Sequence, residues 1–343
     1  MEGWSPLMEG WKAKLKQASF LWLDGFREAC CLHRVVIYCL RSRQLMIRTG
    51  QCFLLNGFIF LGSIFILNSV VIPALFWLLP DLCPRISLQE PCSYEGVLIF
   101  YSFLRLGLVQ LFYIFWFYPL YIFSFILSTL WYNDIAKFGF LAIESPENDD
   151  KDSRNDEHSL TSHQESQYSH NANNADKPIN IGGIMIGIAE QTYSLILLSF
   201  FFLQVYITGF IPYVGKPLNF LLLSWMYAYY CFEYKWNFSG ISLDIRLDFF
   251  ESNWAFFAGF GSTCVIPLIF FSPLVSYGVM AILFPLFVLT ATGSDADKLM
   301  TTSRRKWRGA GLKRLPIFAT ADYMSLKVLS FIPFEPKDKT KNT

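Results

Sequence analysis

Three charged residues lie beside long apolar runs, where a charged side chain could bind or conduct ions. Arg105 and Glu190 each precede such a run, and Lys216 follows a turn rich in glycine and proline. A charge in or beside a membrane segment is costly, so it marks either an ion pathway or an interfacial anchor. We favour anchors, because these side chains can reach the headgroups from the end of a run. An ion path lined by all three is the alternative.

Catalytic and metal-binding patterns do not occur in the sequence. It contains no nucleophile elbow, zinc-protease, phosphate-loop or dinucleotide fingerprint. His158, His163 and His170 lie at irregular spacing in one polar segment, and the eight cysteines include no CxxC pair. The sequence therefore predicts a protein that is not an enzyme and that holds no cofactor or metal.

The composition indicates a membrane protein. Apolar residues make up 53% of the sequence and charged residues only 16%, against about 25% in a typical soluble chain. A soluble fold would have too little polar surface to cover 35 Phe, 17 Tyr and 10 Trp. The net charge of +1 is a cancellation, because basic ends flank an acidic segment.

Two uncharged runs predict membrane-spanning helices. Gly57–Leu79 would reach about 35 Å as a helix, and Leu106–Asn133 is longer. Eight Lys/Arg precede the first run and one lies between the two, so the positive-inside rule places the N-terminus in the cytosol. The short connection then faces the lumen, where Cys83 and Cys92 either form a disulfide or stay unpaired.

Two further apolar runs predict helical hairpins. The first breaks between Gly209 and Gly215, and its second arm, 217–232, is short for a full crossing. The second, 252–294, bends at a proline next to Ser272. Each enters and leaves on the cytosolic side, either as a re-entrant hairpin or as two tilted crossings.

The peripheral segments are amphipathic or polar. Four arginines recur every seven residues from Arg27 to Arg48, which predicts one amphipathic helix over 20–48, lying at the membrane interface or on the protein's own hairpins. Its apolar residues are Phe20, Leu23, Phe26, Val36, Ile37 and Leu40. Residues 144–180 are too polar to repay the entropy of ordering, so we expect a disordered acidic cytosolic loop.

The predicted fold class is therefore an all-α multi-pass membrane protein, with two spanning helices and two proline-bent hairpins. Its regions are an amphipathic N-terminal region (1–50), two spanning helices with a lumenal loop (51–143), the acidic loop (144–180), two membrane hairpins joined by a cytosolic segment (181–294) and a basic cytosolic tail (295–343).

The tail carries two signals. Six of the eleven residues in 304–314 are basic, which predicts attraction to anionic cytosolic lipids of the bilayer, at ~1 kcal/mol per charge. Lys339 and Lys341 stand fifth and third from the end, as in the cytosolic dilysine signal that coat proteins read to return membrane proteins to the endoplasmic reticulum. No recognised nucleic-acid-binding fold presents the basic run, so we do not expect nucleic acid as a partner.

A set of aromatic and small residues forms a recognisable pattern in the second half of the chain. Its members are Tyr230, Cys231, Phe232, Glu233, Tyr234, Lys235 and Trp236, then Glu251 to Trp254 with Asn253, the run 257–261, Pro285 within 282–287, and the earlier run 131–136. This pattern resembles the etoposide-induced membrane protein family. The likeness runs from the first span to Thr292, whereas the acidic loop departs from the animal pattern in length and composition.

The resemblance implies a multi-pass protein of the endoplasmic reticulum, linked in animal members to autophagy, growth control and cell death. It also implies distant kinship with the bacterial CysZ sulfate permeases, whose fold combines full spans with partly penetrating hairpins. Two hypotheses follow. One is a non-enzymatic scaffold or membrane-shaping factor with coat or autophagy proteins as partners, and the alternative is a permease for sulfate-like small anions. The sequence leaves homo-oligomerisation open.

Few polar residues are available for an ion path. The second span offers only Gln110, Ser124, Ser128 and Thr129 besides its tyrosines, which is sparse for a pore lining.

Overall fold

The structure is a computed structural model that describes residues 5–78, 103–104, 106–111, 113–152, 181–306 and 312–330. In these residues the chain forms helices and no strand, which confirms the all-α fold class. The helices are α1 (Ser5–Ala29), α2 (Leu32–Arg41), α3 (Arg43–Leu78), α4 (Tyr118–Asp152), α5 (Ile181–Thr208), α6 (Gly215–Phe238), α7 (Leu243–Ser252), α8 (Trp254–Phe270), α9 (Pro273–Thr292), α10 (Ala296–Lys306) and α11 (Ala319–Ser330).

Eight of the residues singled out from the sequence lie outside the described residues. They are the charge Arg105, the cysteines Cys83 and Cys92, the histidines His158, His163 and His170, and the tail lysines Lys339 and Lys341.

Four helical stretches of the described chain are long and apolar enough to cross a bilayer. They are Arg43–Leu78, Leu106–Glu144, Ala189–Thr208 and Pro273–Thr292, and the bent pair α7 and α8 adds a fifth candidate. Both predicted spanning segments are therefore helical. The first is continuous with α3, whose backbone widens into π-helical turns at Leu54–Leu61 and Leu67–Val71.

The first hairpin consists of α5 and α6, joined by the turn 209–214. Near this turn the Asn219 side-chain amide donates to the Val205 carbonyl oxygen at 2.6 Å. Helix α6 has 24 residues and so extends beyond the uncharged arm 217–232, continuing through its charged end to Phe238. Charged residues are accommodated in this last part of the helix because they form hydrogen bonds. The Lys235 ammonium donates to the Ser294 carbonyl oxygen at 2.6 Å.

The second hairpin consists of α8 and α9, and its bend at residues 271–272 confirms the prediction. A sharp corner of 90° precedes it, between α7 and α8. Asn253 makes this corner: its side-chain amide and its backbone N–H both donate to the Phe249 carbonyl oxygen, while its own carbonyl accepts from Phe256 N–H. This role explains an asparagine at a nearly buried position of the family-like pattern.

The centre of the fold is a sandwich of three helices, with α8 between α1 and α6. A Cβ atom on Gly259 would overlap the Trp22 carbonyl oxygen of α1, and one on Gly261 would overlap the Ser224 carbonyl oxygen of α6. Residues two apart on a helix point about 200° apart around its axis, so the two glycines serve opposite faces. Both neighbours therefore approach the backbone of α8 directly.

The amphipathic N-terminal segment differs from its prediction. It forms three helices instead of one, breaking at Cys30–Cys31 and again at Ser42, whose hydroxyl accepts from Leu45 N–H. The arginines then leave their common face, since Arg34 pairs with Glu28 at 2.5 Å and Arg48 pairs with Asp134 at 3.2 Å. Of the two predicted locations, α1 takes the one on the protein's own hairpins, because Trp22 and Gly25 contact α8 directly.

The start of the predicted acidic loop needs correction. Helix α4 continues through residues 144–152, so the loop predicted to be disordered begins as a helix. Within the basic tail the chain forms α10 and α11. Residues 153–180 lie outside the described part of the chain.

We predict that Gly261→Ala destabilises the protein strongly. The added methyl group meets the backbone of α6, which cannot move aside without separating the central helices, so we expect a loss of at least about 2 kcal/mol. Thermal unfolding in detergent measures the effect. Gly62→Ala on α3 is the matched control, because a Cβ there meets no atom within 4 Å. Equal unfolding midpoints for the two variants would contradict the backbone contact.

Candidate functional site at the base of the hairpins

A polar pocket lies where the arms of the first hairpin end, opposite its turn. We call it the basal pocket. It has a volume of about 200 Å³ and is lined by Glu190, Gln191, Ser194, Gly240, Ile241, Ser242, Leu243 and Arg246. The turn between α6 and α7 closes one side, and its Gly240 has a φ of +64°, a conformation that favours glycine.

The two charged residues of the basal pocket hold the start of α7 in place. The Glu190 carboxylate accepts from Leu243 N–H at 2.6 Å and so caps α7, whose own N-cap residue Ser242 makes no side-chain cap. The Arg246 guanidinium donates to the Ile241 carbonyl oxygen at 2.6 Å and to the Asn237 side-chain oxygen. The base is therefore a rigid frame with an acidic and a basic wall.

Glu233 stands on α6 beyond the apolar arm of the hairpin, near this frame. Burial raises the pKa of its carboxyl to about 7, although Arg246 nearby lowers it in part. The side chain therefore gains a proton on the acidic side of neutrality.

The other residues of the family-like pattern pack around the same base. Phe232 and Trp236 join Phe257 in an aromatic cluster, with ring centroids 5.1 to 6.0 Å apart. The Trp225 indole donates to the Trp254 carbonyl oxygen at 2.9 Å. Remaining members with a buried or half-buried position are Tyr230, Cys231, Tyr234 and Pro285. Most residues of the family-like pattern therefore serve to pack the helices together.

Glu251 attaches the C-terminal tail to the base. Its carboxylate is nearly buried and accepts from the Arg314 guanidinium at 2.7 and 2.8 Å and from Phe318 N–H at 2.9 Å. Phe318 then inserts its ring between Phe201 and Tyr229. Arg314 is one of the six basic residues predicted to attract anionic lipid, and it also neutralises Glu251.

Two of the three residues of the alternative ion path, Glu190 and Lys216, are not brought together. Glu190 lies at the base of the hairpin, whereas Lys216 lies at its turn, at the opposite end of the arms. The distance between them is on the order of the arm length, about 27 Å for the 18 residues from Glu190 to Thr208. Two of the three positions therefore cannot line one local site.

Polar residues inside the spanning helices bind one another. The Asn56 side chain of α3 donates to Ser128 Oγ at 2.8 Å and accepts from Ser124 Oγ at 2.5 Å, both on α4. The Tyr132 hydroxyl donates to the Ala281 carbonyl oxygen of α9 at 2.9 Å. These bonds join three helices within the apolar part of the fold. Sequence reasoning saw Ser124 and Ser128 but missed Asn56, because its partners lie 68 and 72 residues away.

The hairpin turns expose apolar side chains. At the first turn Phe210, Ile211 and Val214 are exposed, and at the second Phe270 and Phe271 are. Backbone N–H groups of the first turn bond within it, from Gly209 to Tyr206, Phe210 to Ile207, Ile211 to Thr208 and Val214 to Pro212. Non-helical backbone is stable in the hydrocarbon region only when its polar groups form hydrogen bonds within the protein. The bonds of the first turn therefore reduce the cost of placing it in lipid.

No cluster of three or more metal-ligating side chains occurs among the described residues. The cysteines of this part of the chain are free thiols, with Cys231 and Cys264 buried between α6 and α8.

Comparison with known proteins identifies the family. The model of the family described as "Sulfate transporter CysZ/Etoposide-induced protein 2.4" matches residues 31–285. This chain belongs to that family.

Two of the three relatives described here match most of this family member. The "Protein EI24 homolog" of Arabidopsis thaliana is 61% identical over 324 residues, covering 94% of this chain and 98% of the relative. Its Dictyostelium discoideum namesake is 27% identical over 87% of this chain and 80% of the relative. The "Ectopic P granules protein 4" of Caenorhabditis elegans is 30% identical over 27% of this chain and 30% of the relative. No solved structure matches significantly.

The match to the family model, residues 31–285, includes every lining residue of the basal pocket but neither α1 nor the docked tail. In this member of the EI24 family, segments outside the matched range therefore complete the sandwich and cover Glu251.

We predict that Glu251→Ala releases the tail. The change removes the acceptor for Phe318 N–H and for the Arg314 side chain, so hydrogen exchange in 312–330 should rise by at least about tenfold while α6 and α8 stay protected. Asp248→Ala is the control, because Asp248 pairs with Arg314 only at the exposed rim. Unchanged exchange in the Glu251 variant would mean that other contacts hold the tail.

We predict a pH-dependent stability from Glu233. Between its ordinary pKa of 4.5 and about 7 the folded state binds the extra proton, so stability falls as pH rises through this range. Glu233→Gln removes the loss and should raise stability at about pH 8 by on the order of 1–2 kcal/mol, with no gain near pH 4.5. Thermal unfolding at both pH values tests this, with the exposed Asp24→Asn as control. A gain that is equal at the two pH values would refute the assignment.

Proposed function

We propose that this protein is a non-enzymatic scaffold of the endoplasmic reticulum membrane that shapes the bilayer during autophagy. Membership of the EI24 family supports the part of the proposal that concerns autophagy, because the resemblance links animal members of the family to that process. The observation that carries the membrane-shaping part is a difference between the two ends of the hairpins. The turns expose apolar side chains, whereas α2, α7 and α11 lie at the base.

The base is wide because peripheral helices gather there. Tyr38 of α2 packs against Gly293 at the end of α9, and α11 lies against α5 through a hydrogen bond between Tyr193 and Asp322. Helix α2 exposes Val36, Ile37 and Leu40, so its apolar face is available to the lipid boundary. Peripheral helices that gather at one end add cross-section to one leaflet more than to the other.

The predicted orientation supplies the direction of bending. With both termini in the cytosol, the wide base occupies the cytosolic leaflet and the apolar turns end within the bilayer. Expansion of the cytosolic leaflet would bend the membrane toward the cytosol. Anionic lipids at the cytosolic surface would add attraction for the basic residues of the tail that remain unpaired with acidic groups, such as Lys313.

A small-anion permease, the alternative drawn from the bacterial branch of the family, has less support from the described residues. Asn56, Ser124 and Ser128 satisfy one another, and Glu190 and Lys216 lie at opposite ends of a hairpin. A path for an anion needs polar groups that are free to replace its water.

We predict that Leu40→Asp impairs autophagy without unfolding the protein. Leu40 is 75% exposed on α2, so a carboxylate there weakens lipid contact but leaves the core intact. Cells whose own gene is disrupted would receive the wild type, Leu40→Asp, or Gln44→Asp, an equal charge change at an exposed polar position. Turnover of autophagic cargo should recover with the wild type and Gln44→Asp, and by less than about half with Leu40→Asp.

Two outcomes would reject the proposal. Cargo turnover that does not change when the gene is disrupted would remove the link to autophagy. Sulfate uptake by liposomes that contain the purified protein, at the rate of a working permease, would favour the transport alternative.

A further inference from the structure

The basal pocket contains a buried pair of hydroxyl groups that is not fully hydrogen-bonded. Ser194 Oγ is buried, lines the pocket and lies beside the buried Tyr229 hydroxyl, and neither group bonds to any other described residue. Even when one hydroxyl donates to the other, one O–H of the pair has no acceptor. Leaving a buried polar group unpaired is costly, so native proteins satisfy such groups with water or a ligand. The pair therefore points to an occupant.

The charges around the pocket select the kind of occupant. Glu190 and Arg246 line it, Glu233 lies near Arg246, and Asp244 and Asp322 lie near Tyr193 on its outer side. A lone anion would meet mainly acidic groups, and a lone cation would meet Arg246. A small molecule with one positive and one negative group matches both.

The backbone offers a place for the negative group. Helix α7 begins at the pocket with its Ser242 hydroxyl uncommitted, and Glu190 caps only Leu243 N–H. The next N–H groups of the first turn receive no side-chain cap, and a helix N-terminus of this kind attracts phosphate. Arg246, one turn later on α7, adds a guanidinium that suits phosphate oxygens.

The lining also discriminates between ammonium groups. Glu190, Gln191 and Ser194 supply oxygen atoms that can accept from an N–H donor. A trimethylammonium group has no such donor and is held in proteins by aromatic rings, and none of the lining residues is aromatic. The pocket therefore fits a primary ammonium and not a choline group.

Size and position agree with a lipid headgroup. A volume of about 200 Å³ equals that of six or seven water molecules at ~30 Å³ each, which suits a group of phosphoethanolamine size and is small for a larger metabolite. The pocket lies at the end of the candidate span Ala189–Thr208, where headgroups meet the protein.

We propose that the basal pocket binds a phosphoethanolamine headgroup, with its phosphate at Arg246 and the start of α7 and its ammonium at Glu190 and Ser194. The headgroup belongs to a membrane phospholipid. Free phosphoethanolamine carries the same two groups and is distinguished from the lipid by experiment.

The test measures lipid retention by the full chain. Purified protein is placed in nanodiscs of phosphatidylcholine alone or mixed with phosphatidylethanolamine or phosphatidylserine, and lipids that stay bound after detergent exchange are identified by native mass spectrometry. Phosphatidylethanolamine should be retained about tenfold over phosphatidylcholine, which equals 1.4 kcal/mol. Equal retention of the two lipids, or preferential retention of phosphatidylserine, would overturn the proposal.

Two variants locate the binding. Glu190→Gln keeps an oxygen acceptor for Leu243 N–H but removes the charge, and Ser194→Val removes one hydroxyl of the buried pair. Each should abolish the tenfold preference, while a cooperative thermal transition in phosphatidylcholine shows that the variant folds. Ser199→Val is the control, because Ser199 is an exposed serine of the same helix whose hydroxyl bonds to Leu195. Retained preference in both pocket variants would place the lipid elsewhere.

Soluble phosphoethanolamine separates the two sources. It should compete with the lipid only weakly, because the acyl chains add contact with the apolar arm. Binding of the soluble compound together with indifference to the lipid would reject a membrane ligand. The lipid-binding test and the autophagy test can fail separately, because the autophagy test changes a residue of α2 and the lipid-binding test changes residues of the pocket.

Discussion

The contact on which the fold depends is the direct approach of three helix backbones around α8. In a bilayer, apolar side chains gain little from leaving lipid for protein, so helices associate through close packing and polar contacts. Gly259 and Gly261 allow this packing on both faces of α8 at once, against Trp22 of α1 and Ser224 of α6. Because α6 is held by this contact, its aromatic face is brought against α8 and α7.

The base of the hairpins follows from that arrangement. Once α8 is fixed, the 90° corner at Asn253 directs α7 across the end of the first hairpin, where Glu190 can cap it. The same corner presents Glu251 to the tail. Polar and charged groups therefore collect at one end of the hairpins, while the turns at the other end carry Phe210 and Phe271.

Local composition was sufficient to predict the helical runs and the positions of the turns. An uncharged run of sufficient length must be helical in lipid, and a proline next to Ser272 must bend the chain, whatever the rest of the protein does. The extent of α6 could not be predicted in this way, because Lys235 and Glu233 continue the helix only where Ser294 and Arg246 meet them. Similarly, the break of the N-terminal segment and the docking of Arg314 depend on partners far away in sequence. In the candidate site, Glu190 was recognisable as a charge beside an apolar run, whereas Arg246 and Ser194 gave no signal until the fold placed them at one pocket.

The location of unsatisfied polar groups bears on what kind of protein this is. Within the described apolar part, Asn56, Ser124 and Ser128 have bonded to one another, so they act as contacts between helices and offer little to a passing ion. At the base, by contrast, the hydroxyls of Ser194 and Tyr229 lie beside charged residues and an open helix end. Buried side-chain oxygens without a partner also occur on Gln17 and Gln204, so what distinguishes the base is the combination of such a group with Glu190 and Arg246. The proposed scaffold role would therefore use the charged base at the membrane boundary, and its selectivity would reside in the chemistry of those residues.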